Sequence, residues 1–124
     1  MLLHKDTTDA IWRAAIYVHT ALGPGLLERV YELAMLHLLT KWGHHVRRQV
    51  EIPVSFDGVE LGTGFRADLI VDGVVLLELK SVAAVHPVHF AQLQTYLKLS
   101  GLRVGVLLNF NVPLMKEGFF RRVV

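Results

Sequence analysis

Glu78-Leu79-Lys80 places opposite charges at alternate positions of a stretch otherwise built from Val and Leu. Residues two apart in an extended strand share a face, so a carboxylate and an ammonium project together from sequence that otherwise belongs in a core. Burying both is costly unless they are paired or bound to an ion. An ion pair on an edge strand is the plainer explanation. Against it, Val74-Val75-Leu76-Leu77 is apolar on both faces, as a central strand is, and a second acid, Asp68, stands between Ala67 and Leu69 on the preceding arm. Two carboxylates and a lysine at strand ends suit hydrolysis of a phosphodiester, with oxygen ligands for Mg²⁺ and a cation beside the attacking water. Lys80 would hold that water or stabilise the charge that develops.

Other candidates lie on helix-like sequence. Glu28 falls in the first turn of one helix, where a carboxylate is already explained by the helix dipole. Gly25-x-x-Glu28-x-x-Tyr31 adds a turn glycine, and a tyrosine three residues on along the same face. Gln92 and Tyr96, four apart, form a comparable pair later, which in isolation marks no more than a polar boundary. His86 and His89 are spaced for a shared metal but have no third ligand near them, so a surface or capping role is favoured. His44 and His45 would alternate faces, which suits phosphate contact or solvent exposure. Lys41, Arg47 and Arg48, with these histidines between them, gather positive potential within eight residues, a pattern suited to nucleic-acid contact. Asp57-Gly58 and Asp72-Gly73 are turn chemistry, and Asp57 and Asp72 are given no catalytic part.

These residues need elements to hold them. Thr7 or Thr8 can cap a helix carrying Ile11, Ala14, Ala15, Val18 and Leu22 at helical spacing, which Gly23-Pro24-Gly25 stops. A second helix starts near Leu26, carries Leu27, Val30, Leu33, Ala34, Leu38 and Leu39, and ends at Trp42-Gly43, with Gly43 suited to a left-handed cap. Val46 to Phe56 alternates like a strand, Asp57-Gly58 reads as a hairpin turn, and a short strand follows around Val59 to Leu61. Phe65 to Val71 and Val74 to Lys80 are further strands. Pro87 opens a helix that reaches about Ser100 and stops at Gly101, and a buried strand, Val104 to Phe110, leads into a short tail. The order helix, helix, three or four antiparallel strands, helix, strand predicts an α/β fold with helices on the faces of a mixed sheet.

Composition sets the frame. The chain has 124 residues, a size suited to one domain over 1–124, and its 52% hydrophobic against 19% charged residues exclude disorder. The absence of cysteine removes disulfides, thiol nucleophiles and zinc-thiolate sites. No apolar run approaches the roughly 20 residues that span a bilayer, and Met1 to Asp6 lacks the regions of a signal peptide, so a cytoplasmic protein without a membrane partner is expected.

Parity constrains the hairpin between the acids. Directly opposed residues of an antiparallel pair point to one face. A two-residue turn at Asp72-Gly73 would set Asp68 against Leu77 and leave Glu78 and Lys80 on the other face. An odd loop restores the match, for instance a three-residue connection with Ile70 opposite Val74 and Gly73 left-handed; a bulge would do the same.

With these residues assembled, the chain resembles the family named for its GxxExxY signature, a branch of the PD-(D/E)XK nuclease superfamily. Gly25, Glu28 and Tyr31 carry the signature, Asp68 with Glu78-Leu79-Lys80 the superfamily motif, and Gln92-x-x-x-Tyr96 the QxxxY element of the RecB-type exonuclease branch. The likeness runs from about Thr8 onward, and Ala67 stands where the superfamily name has proline. It implies a restriction-endonuclease-like core, with Asp68, Glu78 and the backbone carbonyl of Leu79 binding Mg²⁺, or Mn²⁺ in its place. Glu28 would join directly or through water, Lys80 would assist the nucleophile, and Gln92 and Tyr96 would support the site or the DNA backbone. The implied partner is nucleic acid, DNA first, with a homo-oligomer or larger complex left open. A binding or regulatory module that keeps the fold without turnover is the competing reading, favoured by small size and opposed by the intact set of acids and lysine.

Overall fold

The computed structural model describes residues 2–124. Its elements are α1 (Lys5–Leu22), α2 (Glu28–Lys41), β1 (Val46–Phe56), β2 (Val59–Val71), β3 (Val75–Lys80), α3 (Pro87–Ser100), β4 (Val104–Asn109), a 3-10 turn (Met115–Glu117) and β5 (Phe119–Val123). One mixed sheet runs in the order β1-β2-β3-β4-β5. Its neighbours are antiparallel except β3 and β4, which are parallel and joined through α3. This is the expected α/β architecture of a restriction-endonuclease-like core. Among the described residues no helix is long and apolar enough to cross a membrane.

The sheet divides two apolar clusters. On one face Leu69, Val71, Val75, Leu77, Leu79, Val106 and Leu108 meet α1 and α2; on the other Ile70, Leu76 and Leu107 meet Leu93 and Leu97 of α3. A methyl group on Gly105 would stand 2.9 Å from Leu93 Cδ1, so glycine there lets α3 lie close on β4. β3 is the middle strand, and Val75 to Leu79 are all buried, which removes the edge-strand explanation of Glu78 and Lys80.

Several expectations need correction. The short strand around Leu61 and the strand from Phe65 are one element, β2, because register shifts near Pro53 and Val54, with Gly62 left-handed at φ 90°, absorb the break. The supposed tail after Phe110 contains β5, which pairs with β4 and sets Phe119 edge-to-face on Trp12 with ring centroids 5.0 Å apart. Neither Thr7 nor Thr8 caps α1. The helix starts at Lys5 behind a left-handed His4, while Thr7 donates to Asp72 and Thr8 to backbone carbonyls. The buried face of α2 also differs from the one read from its leucines: Leu27, Val30 and Leu33 are exposed, and Tyr31, Glu32, Met35, Leu38 and Leu39 are inside. A helix apolar all round does not declare its inner face.

The local stops behave as read. Gly43 and Gly101 are left-handed after α2 and α3, and Asp57 and Gly58 both take positive φ in a two-residue hairpin. Between β2 and β3, Val71 pairs with Val75 across the three-residue loop Asp72-Gly73-Val74, with Asp72 at φ 54° and Gly73 at φ 68°. The loop is odd, as parity required. The loop sits one residue later than in the Ile70 to Val74 example, so each β2 residue faces a partner two positions farther along β3 and Asp68 comes opposite Glu78.

Candidate active site

The β2–β3 ladder ends at the Leu69 to Leu77 pair. One residue farther, side chains replace backbone pairing: Asp68 N–H donates to Glu78 Oε1 at 3.2 Å, and Leu79 N–H donates to Asp68 Oδ2 at 2.8 Å. These two backbone donors bring the carboxyl groups into one neighbourhood. Glu78 is 8% exposed. Burial, and next the charge of Asp68, push its pKa up, against the Asp68 N–H and the charge of Lys80. Lys80 is half-buried at the end of the central strand. The ion pairs among the described residues, Lys5–Asp9, His44–Asp72, Arg48–Glu32 and Arg66–Glu51, leave Asp68, Glu78 and Lys80 out. Two acids and an ammonium therefore share a neighbourhood without neutralising one another.

Glu28 is brought to this centre from α2. It is an exposed residue at the start of the helix; partial desolvation raises its pKa, the charge of Asp68 adds to that, and Lys80 opposes it. Its position is set by contacts that the sequence did not announce. Tyr31 is wholly buried, stacked on Phe110 with centroids 4.4 Å apart; its hydroxyl donates to Gly23 O at 2.6 Å and accepts from Leu26 N–H at 3.0 Å. Ser81 Oγ, next to Lys80, donates to Leu26 O at 2.7 Å. The loop that launches Glu28 is thus clamped from its own helix and from the end of β3. Tyr31 holds that loop, and its aromatic body is core.

Behind Lys80, Asn109 fixes the chain that leaves β3. It is 2% exposed; its side chain accepts from Val82 N–H at 3.1 Å and donates to Val82 O at 3.0 Å. On α3, Tyr96 stacks on Phe65 at 3.9 Å. Its pKa is raised by burial and then by the charges of Glu78 and Asp68. Gln92 is exposed, and no hydrogen bond among the described residues uses its side chain. His86 and His89 cap α3 as expected, His86 N–H donating to His89 Nδ1 at 3.1 Å.

The basic cluster splits. Arg47 and Arg48 line an open groove of about 610 Å³ with Gln49, Val50, Glu51 and Arg66. Arg48 is anchored there by Glu32 Oε2 at 2.5 Å, and Gln49 reaches Asp68 Oδ1 at 3.3 Å, so the groove abuts the acidic centre. Lys41 lies at the far end of α2 from Glu28, roughly 20 Å along the helix, and lines a different depression with Leu33, Leu36, His37 and Thr40. Gln49, Glu32, Ser81, Asn109 and Arg66 were not singled out from the sequence. Only the left-handed Gln49 is abnormal locally, and a strand pattern does not reveal it.

Among the described residues no three His, Asp or Glu side chains form a ready-made cage for an ion. The donor chemistry still fits a hard divalent cation: the Asp68 and Glu78 carboxyls lie together at the end of the β2–β3 ladder, the charge of Asp68 reaches Glu28, and the chain has no thiol. Residues 5–123 match the family model described as the PD-(D/E)XK nuclease superfamily. Neither a curated protein nor a solved structure matches the chain.

Proposed function

Because the chain belongs to the PD-(D/E)XK nuclease superfamily, we propose that it is a cytoplasmic, divalent-cation-dependent nuclease of one domain over 1–124, of the GxxExxY type, acting on DNA. The observation that carries this is the meeting of Asp68 of β2 with Glu78 of the central strand, two residues from Lys80, with neither acid in an ion pair among the described residues. Asp68, Glu78, the Leu79 carbonyl and Glu28 would hold Mg²⁺ or Mn²⁺. When bound, the cation offsets phosphate charge and eases deprotonation of the attacking water. Lys80 orients that water and stabilises the charge that builds on the phosphoryl oxygens. Arg47, Arg48 and Arg66 take the phosphate backbone in the groove that Gln49 joins to Asp68. Lys41 contacts only a longer nucleic acid. Tyr96 walls the acids on the α3 side, and Gln92, exposed one turn earlier, contacts the backbone of the substrate.

A non-catalytic nucleic-acid-binding module has one observation in its favour. Both Asp68 oxygens already accept hydrogen bonds, from Leu79 N–H and Gln49. Titrating Mg²⁺ and Mn²⁺ against linear, circular and single-stranded DNA and the matching RNAs, with wild type beside Lys80→Ala, separates the readings. Cation-dependent cleavage lost in Lys80→Ala supports the nuclease. A wild type that binds these substrates and cuts none of them with either metal supports the module.

A further inference from the structure

Gln49 sits inside β1 with φ 51°. The other positive-φ residues that are not glycine, His4, Asp57 and Asp72, belong to a helix start and two turns. A left-handed glutamine within a strand is unfavourable, because its Cβ crowds the following carbonyl, and it persists only where surrounding contacts over-determine it. The ladder between β1 and β2 shows the effect: Arg48 pairs with Leu69 and Val50 with Ala67, while Gln49 and Asp68 between them do not pair.

The contacts that hold Gln49 are specific. Its Nε2 donates to Glu32 Oε1 at 2.6 Å and to Asp68 Oδ1 at 3.3 Å, so both amide hydrogens are directed at carboxylates. Glu32 is 4% exposed, and its second oxygen takes Arg48 Nε. The glutamate is therefore an anchor, neutralised by Arg48, against which the carboxamide is fixed. From that anchor Gln49 addresses one oxygen of Asp68 while Leu79 N–H addresses the other. A carboxylate has about four lone-pair positions. Two donors from opposite sides settle its rotation and leave the remaining lone pairs for a cation, the service that partners of metal-binding carboxylates perform.

We propose that Gln49 is a positioning residue: held in its strained conformation by Glu32, it sets the orientation in which Asp68 receives the divalent cation. This inference rests on the cation-dependent reading above. It assigns a role to the left-handed backbone, which lifts the carboxamide out of the β1–β2 ladder and across to Asp68.

The test is calorimetric Mn²⁺ binding to the full chain, with thermal melting of the cation-free protein, for wild type, Gln49→Gly, Gln49→Asn and Asp68→Asn. Glycine and asparagine accept the left-handed backbone, but glycine lacks the carboxamide and asparagine is one methylene short of Asp68. Both variants should fold, relief of the backbone strain offsetting loss of the Glu32 hydrogen bond, and should bind Mn²⁺ about 10–100-fold more weakly. Asp68→Asn should lose binding. Folded Gln49 variants that bind Mn²⁺ as tightly as wild type overturn the proposal, and so does failure of both to fold, which would make Gln49 a structural residue only. A wild type that binds no Mn²⁺ overturns the cation reading itself, an outcome read from the wild-type arm and distinct from the other two.

Discussion

Asp72 and the Asp68–Glu78 pair lie on one hairpin, and the fold treats their charges in opposite ways. Asp72 is surrounded by donors: Thr7 Oγ1 at 3.1 Å, His44 Nδ1 at 2.8 Å and His45 N–H at 3.0 Å. Burial acts to raise its pKa, but these hydrogen bonds outweigh it and leave the pKa below the ordinary value. Glu78 receives one N–H, from Asp68, and a second carboxyl is packed against it, so its pKa moves up. The first corner is a joint, tying α1 and the end of α2 to the β2–β3 turn. The second crowds two carboxyls where the fold supplies little to balance a second negative charge, so Glu78 holds its proton. Satisfied acids mark structure; acids crowded on one another in a partly buried place mark a candidate cation site.

The sharpest way to break this comparison is to mutate across it. Glu78→Gln and Lys80→Ala should each lower cation-dependent turnover at least about 100-fold, with unfolding midpoints kept within about 1 kcal/mol of wild type, since removing a crowded charge seldom harms the fold. Steady-state cleavage and urea denaturation on the same samples check this. Equal loss of activity and stability would make the corner a structural joint like that of Asp72.

The two corners should also answer pH with opposite signs. The folded pKa of Glu78 is raised, from 4.5 to about 9, so the native state holds this proton more tightly than the unfolded chain. Its contribution to stability is complete below the unfolded value and is lost as pH rises through that window. The slope approaches about 1.4 kcal/mol per pH unit for one proton. For Asp72 the folded pKa is lowered; its contribution is present above the unfolded value of 3.8 and is lost as pH falls below it. Denaturation of the cation-free protein from pH 3 to 9 should show both limbs, with the alkaline one flattened in Glu78→Gln and the acid one in Asp72→Asn.

Smaller effects sharpen the same contrast. Asp72→Ala removes an acceptor of three hydrogen bonds from a left-handed position and should cost about 2 kcal/mol by chemical denaturation, with kcat per folded molecule unchanged. Tyr31→Phe deletes only the hydroxyl between Gly23 and Leu26 and keeps the ring on Phe110. We expect a loss of about 1 kcal/mol and a several-fold fall in turnover, through loosening of the loop that presents Glu28. A Tyr31→Phe protein of reduced stability but full activity would detach Tyr31 from the site.

Much of this was already present in local sequence. The helix stops at Gly43 and Gly101, the hairpin at Asp57-Gly58, the apolar central strand and the shared face of Glu78 and Lys80 follow from the φ preferences of glycine and aspartate and from the two-residue period of a strand. Even the odd length of the β2–β3 loop followed from parity, once Asp68 and Glu78 were required to meet, although its place at Asp72-Gly73-Val74 did not. Such features depend on residues a few positions apart.

What tertiary structure alone decided involves partners far apart in the chain. Gln49 finds Glu32 across 17 positions, Val82 finds Asn109 across 27 and Ser81 finds Leu26 across 55, and no periodicity encodes such pairs. The sheet selected Tyr31, Met35 and Leu39 as the inner face of α2 over the equally apolar Leu27, Val30 and Leu33, because burial is a property of the packed helix. Packing likewise separated Lys41 from Arg47 and Arg48, neighbours in sequence that a helix end and a strand carry to different surfaces. Residue types named the chemistry; the meeting of α2, β1, β2 and β3 around Asp68 determined which side chains orient it.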